Sequence, residues 1–304
     1  MDHQTFLATL PADRKASLTQ RNNRAGVIRL AAHLTLIAAT AIWIWAAIPF
    51  WQLILPVQGV LIVFLFTLEH ETTHQTPFAS RRLNEAVGHI TGAILIVPFL
   101  WFRYFHLAHH RYTHDPDKDP ELSGKAPTTI GGYAWHISGL PYWASMIRSL
   151  IGNAFGKTGQ DYIPERAKQK VRREARLHVA LYALAAISLT QSTALLWLWI
   201  LPMLLGQPFL RLYLMAEHGR CPHVSDMLEN TRTTFTTRAV RFLAWNMPYH
   251  AEHHTLPAVP FHQLPELHKD LADHLKSTTN GYIAFHRDHI HRLRQDPCVP
   301  PNRA

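Results

Sequence analysis

The residues best equipped for chemistry in this chain are its histidines. His70-Glu71-Thr72-Thr73-His74 matches H-E-x-x-H, in which a zinc hydrolase holds its metal on two histidines one helical turn apart and uses the glutamate as general base. Further along, "FHLAHHRYTHDPDKDPE" carries His106, His109 and His110 at i, i+3 and i+4, and "WNMPYHAEHHTLP" repeats that spacing with His250, His253 and His254. Positions three and four apart share a helical face, so each box projects its imidazoles together. His218, in "AEHG", brings the set to nine. Neutral imidazole ligates zinc, copper, iron and nickel. One metal needs three or four of these side chains, whereas nine suit two metals with nearly complete coordination spheres. The hydrolase reading expects one metal beside Glu71 and leaves both H-x-x-H-H boxes without a use. The opening motif is therefore a coincidence of spacing.

Elements that carry these side chains must gather residues spread from 70 to 254. Apolar residues, 47% of the 304, lie in a few long blocks although the mean hydropathy is only −0.07. Residues 26–49 and 51–69 are each long enough to cross a bilayer, and their tight connection makes them a hairpin. Residues 178–216 are long enough for two further crossings, with a turn near Thr190-Gln191-Ser192. The block 90–102 is too short to cross and reads as interfacial or re-entrant; the aromatic-rich stretch 133–155, interrupted by Gly and Pro, reads as interfacial. Arg14, Lys15, Arg21 and Arg24 precede the first block and place the N-terminus in the cytoplasm. Two hairpins then return every histidine box, and the C-terminus, to that same face. The expected architecture is an all-α membrane protein with about four transmembrane helices in two hairpins, interfacial helices and a cytosolic histidine-rich cap. It forms one domain over 1–304: a cytosolic lead (1–25), the first hairpin (26–69), a segment with the first two boxes (70–177), the second hairpin (178–216) and a cytosolic segment with the third box (217–304).

Composition excludes several classes. The charge of +9 and pI near 9.8 suit cytoplasmic loops facing anionic lipid and acidic partners, and the lipid-length spans rule out a soluble nucleic-acid binder. Two cysteines, Cys221 and Cys298, can build neither a disulfide framework nor an iron–sulfur centre. The polar lead is no cleavable signal. A metal transporter needs ionisable residues inside several spans, and these spans are nearly free of them. Asp115, Asp117 and Asp119 imitate an EF-hand start, but Pro120 stands where Gly is required and Ala126 where the bidentate Glu belongs.

H-x-x-x-H, H-x-x-H-H and H-x-x-H-H, in this order around two hydrophobic hairpins, resemble the boxes of the membrane fatty-acid desaturase/hydroxylase superfamily, over roughly residues 30–275. The resemblance implies a four-helix membrane fold with a cytosolic cap holding two iron ions. In that family the irons activate O2 and abstract hydrogen from an unactivated C–H bond, with electrons from a separate donor. His70, His74, His106, His109, His110, His250, His253 and His254 correspond to the box ligands. "AEHG" resembles the glutamate–histidine motif of membrane alkane hydroxylases and makes His218 the ninth. Where acyl desaturases often place an asparagine one turn earlier, this chain has Leu214, which sets it apart from the acyl-CoA branch. The stretch 221–254 is similar to a bacterial subgroup that includes dihydrorhizobitoxine desaturase-like proteins, implying a bacterial inner membrane.

Desaturation of a lipid or other hydrophobic chain is thus the expected reaction; a hydroxylase or a decarboxylase forming a terminal alkene would use nearly the same ligands. Carboxylates and imidazoles beside the boxes can orient ligand rings: Glu71, His114, Asp115, Asp119, Glu217 and Glu252. His33 reads as a packed or pore-facing residue, His262 and His268 as surface or packing residues, and His286, His289 and His291 as a solvated tail. The donor must be another protein of ferredoxin, rubredoxin or cytochrome type. It would dock on Lys168, Lys170, Arg172, Arg173 and Arg176 with Arg232, Arg238 and Arg241.

Overall fold

The computed structural model describes residues 1–295 apart from Lys125 and Thr158, so Cys298 lies outside the described residues. The polar lead forms α1 (His3–Thr9) and α2 (Ala12–Leu18). Both are docked: Phe6 and Leu18 are buried, and Arg14 pairs with Asp270 at 2.8 Å. The first hairpin follows as α3 (Asn23–Trp45), α4 (Trp51–Val63) and α5 (Leu65–Thr73). Its tight connection uses left-handed backbone at Ala47 and Phe50. Next come α6 (Arg81–Leu95) and α7 (Phe99–Tyr112), bent by 100° where Ile96 adopts φ 59° and Pro98 precedes α7. A pair bent in this way is either a broken span or a re-entrant loop.

The expected interfacial stretch forms α8 (Ile130–Ile137) and α9 (Leu140–Ala154), separated at Gly139, whose φ of 75° turns the chain. The long α10 (Glu165–Ser188) leads through a turn to a π-helical stretch, Leu196–Ile200, and α11 (Leu201–His218). The remainder contains α12 (Met227–Asn230), β1 (Thr233–Phe235), α13 (Arg238–Leu243), α14 (His250–Thr255), α15 (Leu264–Leu271), β2 (Thr278–Asn280) and α16 (Tyr282–Gln295).

Among the described residues three helical stretches are long and apolar enough to cross a membrane: Ala12–Trp45, Trp51–Thr73 and Leu196–His218; α6 and α7 pass together as a bent pair. The chain is thus a mostly helical membrane protein. The expected crossing at 178–189 differs from this picture. Its helix begins at Glu165, and the first half is charged, so α10 is apolar only from Leu177 onward. That half turns Leu177, Leu181, Leu184 and Ile187 outward, an apolar stripe suited to lipid. The all-α expectation also omitted a parallel pair, β1 with β2 in the register Thr233–Thr278, formed by two β-branched threonine runs.

The spans are held by close backbone approach and by buried polar links. A Cβ on Gly59 of α4 would lie 2.0 Å from the Pro202 carbonyl of α11, and one on Gly206 would lie 2.3 Å from the Gly59 carbonyl carbon. Small residues allow this approach where no hydrophobic effect drives helices together. Gln58 Nε2 donates to Leu198 O while its Oε1 accepts from Thr40 Oγ1, tying three spans. His33 is a packed residue: its Nε2 lies 2.8 Å from Leu61 O, and Trp245 donates to its Nδ1.

Candidate metal centre

Four helices bring the nine histidines together. His70 stands on α5 with His74 just beyond it; His106, His109 and His110 share one face of α7. His218 ends α11, and α14 carries His250, His253 and His254. Two groups result. In one, ring nitrogens of His70, His74, His106, His110 and His253 all lie within 4.8 Å of one another; in the other, those of His109, His218 and His254 do. His250 joins the second, its Nε2 3.1 Å from His218 Nε2. The groups adjoin, since the His110 and His254 rings stack at 4.0 Å.

The Nε2 atoms converge. His74 and His106 approach to 2.8 Å, His70 and His253 to 2.8 Å, and His109 and His218 to 3.1 Å. Donors about 2.1 Å from a shared centre stand about 3 to 4 Å apart, so the spacing fits one ion per group. His254 Nε2 gives a sharper test. It is buried with no hydrogen-bond partner among the described residues, a costly vacancy for a neutral imidazole unless a metal takes the lone pair. The sites are also dry: His250, His253 and His254 are 2%, 0% and 3% exposed. Burial holds their pKa values well below the ordinary imidazole range, and takes His74 down to about 3. All four are therefore neutral at physiological pH, the form that ligates.

The opposite ring nitrogens meet their own partners. His109 Nδ1 donates to Asp119 Oδ1 at 2.9 Å, which fixes the tautomer that leaves Nε2 with its lone pair. The local chain is built for this contact. α7 stops at Thr113, His114 takes φ 63°, and the chain doubles back so that Asp119 also accepts from the His114 and Glu121 amides. Burial alone would raise the Asp119 pKa, but His109 and the two amides outweigh it and bring it below the usual carboxylate range. His218 Nδ1 faces Asn230 O at 3.3 Å, and His254 Nδ1 faces Thr113 Oγ1 at 3.3 Å. At longer range Glu217 lies 3.5 Å from His250 Nδ1, and Glu71 lies 3.8 Å from His253 Nδ1.

The other named side chains are differently engaged. Glu71 accepts from Thr76 Oγ1 and the Phe261 amide, behind the His253 ring rather than among the Nε2 atoms. Glu252 accepts from Thr233 and pairs with His268, so it braces α14 against β1 and α15. Asp115 caps its own turn and pairs with Lys118. His114 is bound to Pro222 O, with burial pushing it down to about 4.

Three expectations change. His286 and His289 are not a solvated tail: α16 buries them, with His286 between Leu212 O and Tyr133. His268, expected at the surface or in packing, forms a specific pair with Glu252. Arg232 leaves the docking face, since it is 7% exposed and holds the Ala216 and Gly219 carbonyls. Pattern reasoning also missed Asn230, Glu121 and Glu69. Glu121 lies 3.7 Å from His109 Nδ1. Glu69, next to His70, is fully buried, and neither carboxylate oxygen has a hydrogen-bond partner among the described residues. Only its position inside an apolar run could have drawn notice.

The fatty acid desaturase family model matches residues 49–286, which contain all nine histidines. An sn-1 oleoyl-lipid 12-desaturase of Picosynechococcus is 26% identical over 258 residues, 76% of this chain and 72% of the relative. A fatty acid desaturase of Bacillus subtilis is 23% identical over 235 residues, 67% of this chain and 63% of that protein. An sn-1 acyl-lipid omega-3 desaturase (ferredoxin) of Synechocystis is 26% identical over 145 residues, 47% of this chain and 40% of that protein. With the family's pattern matched across both histidine groups and the apolar helices between them, the chain belongs to the fatty acid desaturase family.

Proposed function

We propose that this protein is an O2-dependent di-iron desaturase that removes two hydrogens from an unactivated stretch of a lipid acyl chain. The observation that carries the reading is the pair of adjoining histidine groups, five and four imidazoles, drawn from α5, α7, α11 and α14. His70, His74, His106, His110 and His253 would hold one iron, and His109, His218, His250 and His254 the other. Bound there, the two irons would supply O2 activation and removal of hydrogen from carbon.

The chain's own residues supply position and protection. Asp119 orients His109, Asn230 orients His218 and Thr113 orients His254. Burial of the imidazoles excludes water from a site where a reactive oxidant would otherwise be quenched. The acyl substrate would come from the bilayer, toward which α3, α10 and α11 turn apolar side chains. We read the boxes and both termini as cytoplasmic, in a bacterial inner membrane. Exposed Lys170, Arg173, Arg176 and Arg238, with the half-buried Lys168, Arg172 and Arg241, remain as a docking face for an acidic donor of ferredoxin, rubredoxin or cytochrome type. A zinc hydrolase is disfavoured because Glu71 stands behind a histidine ring, away from any metal-bound water.

The test is to express the protein and His110→Ala with a matching reductase and donor, then compare lipids by mass spectrometry. A product lacking two hydrogens, present only with His110, is the expected result, and its double-bond position locates the carbon held over the irons. A product gaining oxygen, or an alkene shortened by the carboxyl carbon, would replace desaturation with hydroxylation or decarboxylation. Purified protein without iron would overturn the reading altogether.

A further inference from the structure

Two histidines outside the nine stand in line with the second group. His114 lies five residues past His109, and His223 lies five residues past His218. In each case the helix that carries the ligand has just ended, and the chain turns through left-handed backbone, at His114 itself (φ 63°) and at Arg220 (φ 65°). Such backbone is uncommon away from glycine. The two turns meet. The His114 and His223 rings are 4.9 Å apart, and the His114 ring is 5.4 Å from that of His218. The line begins at the surface with exposed His223, passes His114, 5% exposed, and ends in the group of His109, His218 and His254.

The frame that holds this pair is the one that holds the ligands. Asp119, which fixes the His109 ring, also accepts from the His114 amide at 2.8 Å. Asn230, whose carbonyl faces His218 Nδ1, donates through its side chain to Val224 O at 2.8 Å and so pins the turn that carries His223. His114 Nδ1 donates to Pro222 O at 3.0 Å. That bond ties the two turns together and leaves the lone pair on Nε2, the tautomer that ligates. A dry metal site needs such a line, because stripping water from a divalent ion is costly unless ligands replace it in steps. The first group meets the surface through its own half-buried His74 and His110. In the second only His218 is half-buried, and His114 and His223 lead outward from it. Two imidazoles hold a divalent ion more weakly than the four beyond them, so an ion bound there can be passed on.

We infer that His223 and His114 form a transfer station for Fe2+, a two-imidazole site that takes the ion from solvent and passes it by way of His218 into the second histidine group. Each step exchanges water or imidazole around a divalent ion and moves no electron. The inference rests on the metal centre proposed above.

Metal-free full-length protein in detergent is mixed with Fe2+ without oxygen, and protein-bound iron is counted through time by quenching with a fast chelator. His223→Ala, at an exposed position, should reach the same two irons per chain as the wild type. Its second iron should load at least about tenfold more slowly, because the ion is no longer concentrated beside the site. His223→Asp, which keeps a ligand on the same turn, should recover most of the rate. His291→Ala, which removes an exposed histidine of α16, should load like the wild type. Unchanged loading in His223→Ala, or equal slowing in His291→Ala, would overturn the inference and leave the centre in place. So would a lasting loss of one iron in His223→Ala, since His223 would then be a permanent ligand. A wild type that takes up no iron would overturn the proposed centre, and this inference with it.

Discussion

In the proposed metal centre Asp119 acts without touching a metal, by holding the His109 ring. An imidazole can present either nitrogen, and the hydrogen bond from Nδ1 decides that Nε2 of His109 faces inward. Asp119→Ala should lower iron affinity about 10- to 100-fold with helical content unchanged, measured by iron titration beside circular dichroism. Asp115→Ala should bind iron like the wild type, because Asp115 serves only its turn and Lys118. Full iron affinity in the Asp119 variant would remove it from the supporting role. Sequence alone treated the two aspartates alike, since both follow the second box within ten residues. What separates them is the left-handed turn at His114, a backbone reversal that no side-chain pattern announces. The box histidines, by contrast, were legible because i, i+3, i+4 is itself the geometry of a helical face. Glu252 was misjudged for the converse reason: adjacency to His253 says nothing of direction, and its carboxylate goes to Thr233 and His268.

At the scale of elements, hydropathy located the first hairpin and the last span well, because lipid-length apolar runs have few other uses. It misjudged α10, where an apolar half follows a charged half on one continuous helix, and it left the docking of α1 and α2 unseen. Such docking depends on single long-range pairs, Arg14 with Asp270 and His3 with Asp226, that composition cannot reveal. The crossing of α4 and α11 is likewise written in two glycines rather than in hydropathy. Gly59→Leu must push against the Pro202 carbonyl, a backbone atom that cannot swing aside, so the helices must separate. Overpacking of this kind costs about 1–3 kcal/mol or more, and the loss should appear as a lower unfolding temperature in detergent. Gly131 of α8 is the control, since nothing lies within 4 Å of its Cβ position. Gly131→Ala should be neutral or slightly stabilising, by up to about 1 kcal/mol through helix propensity. If Gly59→Leu melted with the wild type, the close approach would not be what holds α4 to α11.

For the whole molecule, the consequence of burying so many imidazoles at one place is a fold whose stability depends on acidity. Burial holds His250, His253 and His254 well below the ordinary range and takes His74 to about 3 and His114 to about 4, whereas the unfolded chain titrates near about 6.5. Above that value both states carry neutral imidazoles and pH has little leverage. Below it the unfolded chain takes up protons that the folded chain refuses, so stability falls as pH drops. These five histidines should therefore contribute no pH dependence to the iron-free melting temperature from about pH 8 to 7 and a steady fall from about 6.5 downward, set against an opposing contribution from His109, whose burial is outweighed by Glu121 and Asp119 so that its pKa rises. Bound metal opposes this, since it stabilises the folded state alone and protons must displace it from the same nitrogens. Iron loading should raise the melting temperature at every pH and shift the acid fall downward, and a chelator should restore the iron-free curve. Thermal unfolding in detergent across that range, with and without iron, measures both effects. An iron-free protein indifferent to pH between about 6.5 and 5 would mean that water and protons already reach the rings in the folded state. The dry site on which the proposed chemistry depends would then be lost.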